Sequence, residues 1–462
     1  MALTESESRG RLARMSPAAL AAQTRAWLKD GGHHSIAQRV AGAAFMIRVA
    51  SAGIIYLSQI LLARWMGTHE FGIYVYVWTL VLLLGDLSDF GLSSAAQRFV
   101  PEYRRSNAND LLRGFISRSR WIACGSAIVI AAIGATTVHL LRDYIPAYLA
   151  LPVSIAFVTL PFFTVMQVQD GIARSHNWIN LALLPPFVVR HVVILALVLA
   201  AYLLSFPATA VTAVIAVAIA FTVTTLVQTV ILNRRLARTV EPGPKAYETK
   251  TWIAVSLPIL MVEGFYMLLT NTDILLLQYF RSPQDVAIYY AAAKTLILVA
   301  FVHFAVAAAV AHRFSEYHVS GDREQLKAIL ADSVRWTFWF SLAAAVVVLA
   351  AGKFLLSLFG AHFVEGYHLM FILAIGVLSR AAIGPVERLL SMLGEQRICA
   401  AVFATTFFLN VGLGIAMIPR WGVNGAAAST AIALVFESVL LYVVTRRRLR
   451  LHAFAFGRPA AG

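Results

Sequence analysis

Apolar residues in this chain run in long continuous stretches instead of alternating or recurring on one helical face. Periods of 2 or 3.6 residues mark half-buried strands and helices. Continuous runs of about twenty apolar residues instead suit a helix crossing the ~30 Å hydrocarbon layer of a bilayer. Twelve runs of this kind are read, at roughly 40–63, 71–96, 121–141, 145–169, 178–204, 207–232, 251–280, 286–311, 336–352, 366–393, 398–418 and 424–445. Several contain helix breakers, notably Pro185-Pro186, Pro258 and Gly384-Pro385. Membrane helices tolerate these because neighbouring helices re-satisfy the freed backbone groups, and such sites often mark bends. The pattern predicts an all-α polytopic membrane protein with about twelve transmembrane helices.

Composition agrees with that pattern. Apolar residues make up 60% of the chain and charged residues 13%, about half the charged share of a soluble domain. The net charge of +15 raises nucleic acid as a partner, but the cations sit in short loops between apolar runs, so no nucleic-acid partner is expected. The two termini and the even-numbered loops, with Arg388 at the end of the tenth run, hold 29 Lys and Arg against 5 in the odd-numbered loops. Cytoplasmic loops carry the Lys/Arg excess, so both termini and the central linker are expected in the cytoplasm, which requires an even number of spans. Ahead of the first run, residues 1–39 are polar and basic with no apolar core of a cleavable signal, and Ala18 to Leu28 suit a short surface helix.

The two halves of the chain repeat. Ile73-Tyr74 recurs as Ile288-Tyr289, Arg98-Phe99 as Arg313-Phe314 and Arg120-Trp121 as Arg335-Trp336, all at an offset of 215 residues. Ile60-Leu61-Leu62 recurs one residue out of step as Ile274-Leu275-Leu276. Repeats with an even number of spans are parallel, related by an axis along the membrane normal. The expected organisation is a basic arm at 1–39, a six-helix bundle at 40–232, a linker at 233–250, a second six-helix bundle at 251–445 and a tail at 446–462. This amounts to a pseudo-symmetric pair of six-helix bundles.

Catalytic signatures are missing. Gly352-Lys353 lacks the upstream glycine of a phosphate-binding loop, His69-Glu70 lacks the second histidine of a zinc-protease helix, and no Gly-x-Ser-x-Gly elbow occurs. Cys124 and Cys399 lie in separate apolar runs, and no disulfide, cofactor or metal site is expected. The informative residues are ionisable ones inside the runs, because each is costly in lipid unless it faces water or a partner. They include Arg48, Asp86, Asp89, Arg190, His191, Glu263, Asp273, Lys294, Arg380, Glu387 and Glu437. At 1.5 Å per residue, Asp86, Arg190, Glu263, Arg380 and Glu437 lie ~18–22 Å from the ends of their runs, near the midplane. Arg48 and Lys294 lie only ~12 Å deep by the same rise, from where a long side chain can reach the interface. Tyr290 and Lys294 share one helical face, an aromatic beside a cation that suits a phosphate-plus-sugar ligand.

Three stretches point to a family: Arg64-x-x-Gly67-x-x-x-Phe71-Gly72-x-Tyr74, Ser88-Asp89-Phe90-Gly91-Leu92 and Arg98-Phe99-x-Pro101-Glu102-Tyr103. Together they resemble the first two helices of polysaccharide flippases, the oligosaccharide-lipid branch of the multidrug/oligosaccharidyl-lipid/polysaccharide exporter superfamily. The likeness is strongest over 40–125. It implies two six-helix bundles forming a V around a cavity that opens alternately to each side. It also implies substrates that are glycans on an undecaprenyl-pyrophosphate-type lipid, for surface polysaccharide such as lipopolysaccharide or exopolysaccharide, in the bacterial cytoplasmic membrane. Cavity cations would hold the pyrophosphate, with Arg48, Lys294, Arg380 and Arg190 as candidates and Tyr290 beside them. Asp86, Glu263 and Glu437 are the candidates for charge pairing or for H⁺ or Na⁺ coupling, and glycan polymerases or transferases are expected partners. The alternatives are a cation-coupled multidrug exporter of the same superfamily and, third, a membrane-embedded glycan polymerase or transferase.

Overall fold

A computed structural model of the protein describes residues 33–456, with side chains for Ile47 and from Val49 onward. The chain divides into two compact units, residues 1–52 and 53–462. Of the first, residues 33–52 are described as helix; the expected surface helix at Ala18 to Leu28 lies outside the described residues. The second unit holds every described residue from Gly53 onward.

No strand occurs among the described residues. Helix α1, His33–Ser88, is followed by α2, Leu92–Arg105, α3, Asn109–Leu140, and α4, Ala147–Ser175. Next come α5, Ile179–Leu184, a π-helical turn at Pro185–Val189, α6, Arg190–Leu203, and α7, Ala210–Thr239. The second half holds α8, Thr249–Phe280, α9, Pro283–Val319, α10, Arg323–Ala350, and the short α11, Gly352–Ser357. A 3₁₀ turn at Ala361–Gly366 leads to α12, Tyr367–Ile383, α13, Val386–Met392, and α14, Gln396–Arg448. Caps fix several starts: Ser282 accepts from the Asp285 amide ahead of α9, with Pro283 at the first helical position, and Asp322 accepts from the Gln325 amide ahead of α10. Each side chain satisfies an amide that the helix itself leaves without a partner.

Ten helices among the described residues are long and apolar enough to cross a membrane. Two of them, Val49–Arg105 and Gln396–Arg448, run for 57 and 53 residues, more than twice the ~20 that one crossing needs. Both are folded at a glycine with positive φ, Gly67 (φ 76°) and Gly422 (φ 58°), where other residues would be strained. Tyr74 hydrogen-bonds Gln59 across the first fold, and a Cβ on Gly414 would stand 4.0 Å from Ser429 Oγ across the second. Residues fifteen apart would be ~22 Å apart on a straight helix, so each long helix is a hairpin. The twelve expected crossings are therefore present.

Within the first half α4 packs against α2, α3 and α7; in the second, α14 packs against α8 and α12, and α9 against α10 and α12. Large apolar side chains such as Ile128, Ile133, Leu199, Leu226, Val347 and Phe408 point outward, as expected of helices solvated by lipid. Trp121 and Trp336, equivalent under the 215-residue offset, are both exposed, in keeping with aromatic residues at a membrane interface.

Candidate functional site

Two departures from simple helices position charged groups. The second crossing, expected as one run over 71–96, breaks at Asp89-Phe90-Gly91, where Phe90 and Gly91 both have positive φ. Asp89 causes and caps the break: its carboxylate accepts from the Gly91 amide at 2.6 Å, the Ser93 amide at 3.4 Å and the Ser93 hydroxyl. A carboxylate at the start of α2 is also favoured by the helix dipole. The 215-residue offset carries this tripeptide onto 304–306, inside the continuous helix α9, so the repeat is broken on one side only. The second departure is the π-helical turn Pro185–Val189. The proline pair removes two backbone donors there, and Arg190 follows directly.

Around the break sits an acidic cluster. Asp86 Oδ1 accepts from Gln167 Nε2 at 3.2 Å, and Ser94 donates to both Glu263 oxygens at 2.8 and 3.0 Å. Asp86, Asp89 and Glu263 are close enough to interact electrostatically, with Arg174 as a countercharge to Glu263. Glu263 lies on α8 and the rest on the first half, so the cluster joins the two halves of the repeat. Nearby, Trp252 Nε1 donates to Tyr103 Oη at 2.8 Å.

Arg190 is 7% exposed, and its guanidinium carbon stands 4.8 Å from the Phe221 ring centroid and 5.5 Å from that of Trp78. Its Nε has no hydrogen-bond partner, and no carboxylate pairs with it among the described residues. Two cation–π contacts, each worth roughly 0.5–2 kcal/mol, hold a cation whose charge is not cancelled.

Lys294 and Tyr290 do share a face of α9, with Nζ 5.0 Å from the ring centroid. Asp273 lies within electrostatic reach of Lys294 and accepts from the Tyr289 hydroxyl and from Thr430 Oγ1, the latter at 3.4 Å. Counting along the run puts Asp273 near a span end; in the fold it is buried.

Arg380, in the last turn of α12, is the most engaged cation. It hydrogen-bonds Glu387 on α13, its Nε stands 3.3 Å from Glu437 Oε1 on α14, and its Nη1 donates to Tyr266 Oη on α8 at 3.3 Å. The Tyr266 ring centroid is 5.1 Å from the guanidinium carbon, and His303 Nε2 on α9 is 3.8 Å from Glu387 Oε1. Glu437 is fully buried, and neither of its oxygens receives an aligned hydrogen bond. One guanidinium thus faces two carboxylates at the junction of five elements. Gly384 (φ 63°), the expected bend, turns the chain so that α13 brings Glu387 back to Arg380. The Arg48 side chain lies outside the described residues.

The first family motif occupies a seam between the halves. Arg64 Nε donates to Leu358 O at 2.6 Å and Nη2 to Ser357 O at 3.3 Å, satisfying carbonyls at the end of α11. Phe71 meets Phe363 and Tyr290 edge-on, and Tyr56 Oη lies 3.1 Å from Thr295 Oγ1. Gly72 lies so close to Pro283 that a Cβ would fall 1.8 Å from its carbonyl oxygen. Sequence reasoning missed Tyr266, His303, Tyr289 and Thr430. Neutral polar residues inside a span raise no alarm until folding sets them beside a charge, whereas His303 carries the same signal that singles out His191.

A bundle of twelve crossings with buried cations and acids gathered among its helices is the architecture of a multi-pass membrane transporter. The chain matches the family model described as "Polysaccharide biosynthesis protein" over residues 39–318, and it belongs to that family. Residues 258–423 also match the MatE model. A curated relative, the probable low-salt glycan biosynthesis flippase Agl15 of Haloferax volcanii, is 21% identical over 169 residues. That match covers 36% of this chain and 36% of Agl15, so little more than a third of the relative's length. Among solved structures, an inward-facing multidrug-resistance MATE transporter superposes with a TM-score of 0.71 at 14% identity, covering 88% of this chain and 98% of the other. The lipid II flippase MurJ in an inward closed conformation gives 0.70 at 15%, covering 87% of each. An outward-facing MATE structure gives 0.64 at 15%, covering 89% of this chain and 95% of the other. These likenesses show the fold.

Proposed function

We propose that this protein is a flippase that moves a lipid-linked oligosaccharide, of the undecaprenyl-pyrophosphate type, across the bacterial cytoplasmic membrane for surface polysaccharide synthesis. The observation that carries the reading is membership of the polysaccharide biosynthesis family over residues 39–318, and the match to a glycan flippase supports it. A pyrophosphate-sugar head group cannot cross hydrocarbon unaided, and arginine and lysine in a wet cavity can replace part of its solvation. Arg190 and Lys294, with Tyr290 beside the latter, keep charge that an anion can use, and Arg48 is assigned to the same set from its place in the sequence. Arg380, shared between Glu387 and Glu437, serves this function through the shape and charge of the second bundle. Asp86 and Glu263 stand at the junction of the halves, where binding of H⁺ or Na⁺ would change their mutual repulsion.

The proposed organisation is two six-helix bundles, 40–232 and 251–445, with both termini cytoplasmic. Transport proceeds by alternating access, in which the Arg64–Leu358 seam opens and closes. The higher superposition with the inward-facing and inward closed structures than with the outward-facing one supports placing this conformation on the inward side of the cycle. Movement of about two negative charges outward is favoured by an inside-negative potential at roughly 2.3 kcal/mol per charge per 100 mV. Deleting the gene should leave lipid-linked glycan on the cytoplasmic leaflet and deplete the matching surface polysaccharide. Normal surface glycan with altered drug tolerance would instead establish the multidrug-export alternative, which the MATE-like fold also accommodates.

A further inference from the structure

A hollow of about 500 Å³ opens at the arginine-rich end of the first half, next to the acidic cluster, with which it shares Arg174. Its walls are α2, which supplies Gln97, Arg104 and Arg105, and the end of α4 with the turn that follows, which supplies Arg174 and Asn177. The lining holds three guanidinium groups, two side-chain amides and no carboxylate. The surrounding charges leave two of the three arginines free. Asp170 is committed to Arg174 through Nε–Oδ1 at 3.0 Å and a second contact from Nη2. Glu102, on α2 itself, stands 3.9 Å from Arg98. Among the described residues neither Arg104 nor Arg105 has a hydrogen-bond acceptor or an ion-pair partner, and both are exposed. Behind the hollow His176, held neutral by burial and by Arg104, stacks on Trp178, whose ring also meets Arg235 at 5.7 Å.

Forked guanidinium donors converging on a concave surface without a carboxylate match the oxygens of a phosphoryl group. The site lies at the ends of helices that cross the membrane, at the level where lipid headgroups sit. We propose that this hollow binds the phosphate or pyrophosphate group of a membrane lipid, with Arg104 and Arg105 as the ligands that give it affinity and Arg174 fixed by Asp170 as the third. The site recognises the phosphate and needs no sugar, so it stands whether or not the glycan reading of the transport cavity holds.

The test uses the full chain in phosphatidylcholine nanodiscs, titrated with a polyprenyl pyrophosphate, with phosphatidylglycerol and with inorganic pyrophosphate, bound ligand being counted by native mass spectrometry. Arg104→Gln/Arg105→Gln should weaken binding of the lipid phosphates about tenfold or more. Arg104→Lys/Arg105→Lys should fall between, since a point charge keeps attraction and loses the fork. The control Arg446→Gln/Arg447→Gln removes two exposed arginines of the C-terminal stretch and should leave binding unchanged. Neither glutamine pair breaks an internal side-chain bond among the described residues, so both variants should melt with the parent protein. Preference for the polyprenyl pyrophosphate over phosphatidylglycerol, or equal binding of the two, supports the site and tells which lipid fills it. Binding of inorganic pyrophosphate alone would overturn the lipid assignment, and equal losses in test and control pairs would reduce the effect to diffuse surface charge and overturn the site.

Discussion

Removing Arg380 would leave Glu387 and Glu437 facing each other in the protein interior without their cation. Breaking a buried pair in this way typically costs about 3–5 kcal/mol, so Arg380→Ala should lower both the amount of folded protein in the membrane and its melting temperature. Neutralising the stranded acids in Arg380→Ala/Glu387→Gln/Glu437→Gln should restore abundance and, if the cluster is a structural pair, glycan export as well. Restored abundance with export still absent would give Arg380 a direct hold on substrate. Lys294→Ala and Arg190→Gln differ in kind. With no carboxylate ion-paired to either among the described residues, these substitutions should leave protein level near normal and reduce export at least tenfold, measured as surface polysaccharide per unit of membrane protein. At this scale the sequence identified which residues are unusual but not their company. Depth in a span singles out Arg380 and Glu437 alike, yet only the turn at Gly384 and the return of α13 decide that Glu387 joins them. Asp89 and Asp273 sit near span ends by counting, but backbone amides in one case and a tyrosine in the other hold them inside.

Helix hairpins and breaks carry the next level of meaning. Gly67 and Gly72 were legible as members of a motif, and the structure gives each a physical reason: one folds the first hairpin, the other lets the carbonyl of Pro283 approach. Gly72→Ala would force the two backbones apart, and an overpacked contact costs typically 1–3 kcal/mol. It should therefore lower the melting temperature measurably, whereas Gly125→Ala, where a Cβ meets nothing within 4 Å, should not. Run lengths located twelve crossings because hydropathy is a local property. They could not locate the break at Asp89-Phe90-Gly91, since the aspartate marks the span as unusual without telling whether it finds a partner on another helix or turns on its own backbone. The same tripeptide position in the second repeat remains helical, which confines the acidic cluster to one junction.

Across the whole molecule, the sided distribution of Lys and Arg predicts that single cysteines in the 98–120 loop, the 234–250 linker and the tail resist impermeant thiol reagents in intact cells and react after permeabilisation. Labelling of the linker from outside would contradict the twelve-crossing topology. The composition, the charge bias and the internal repeat made the architecture readable, because a membrane restricts backbone and charge so severely. Substrate identity is less accessible, because it depends on how far the cations proposed to bind substrate outweigh the acids Asp86 and Glu263 in the assembled protein. Transport itself is therefore the sharpest test of the proposed flippase activity. Purified protein in liposomes would be given a fluorescent polyprenyl-pyrophosphate oligosaccharide, and its leaflet read by an impermeant quencher or glycosidase. The glycan lipid should become accessible in the opposite leaflet at a rate that scales with protein and falls at least tenfold in Lys294→Ala. Glycan lipid that stays in its leaflet while the same liposomes export an organic cation would contradict the assignment.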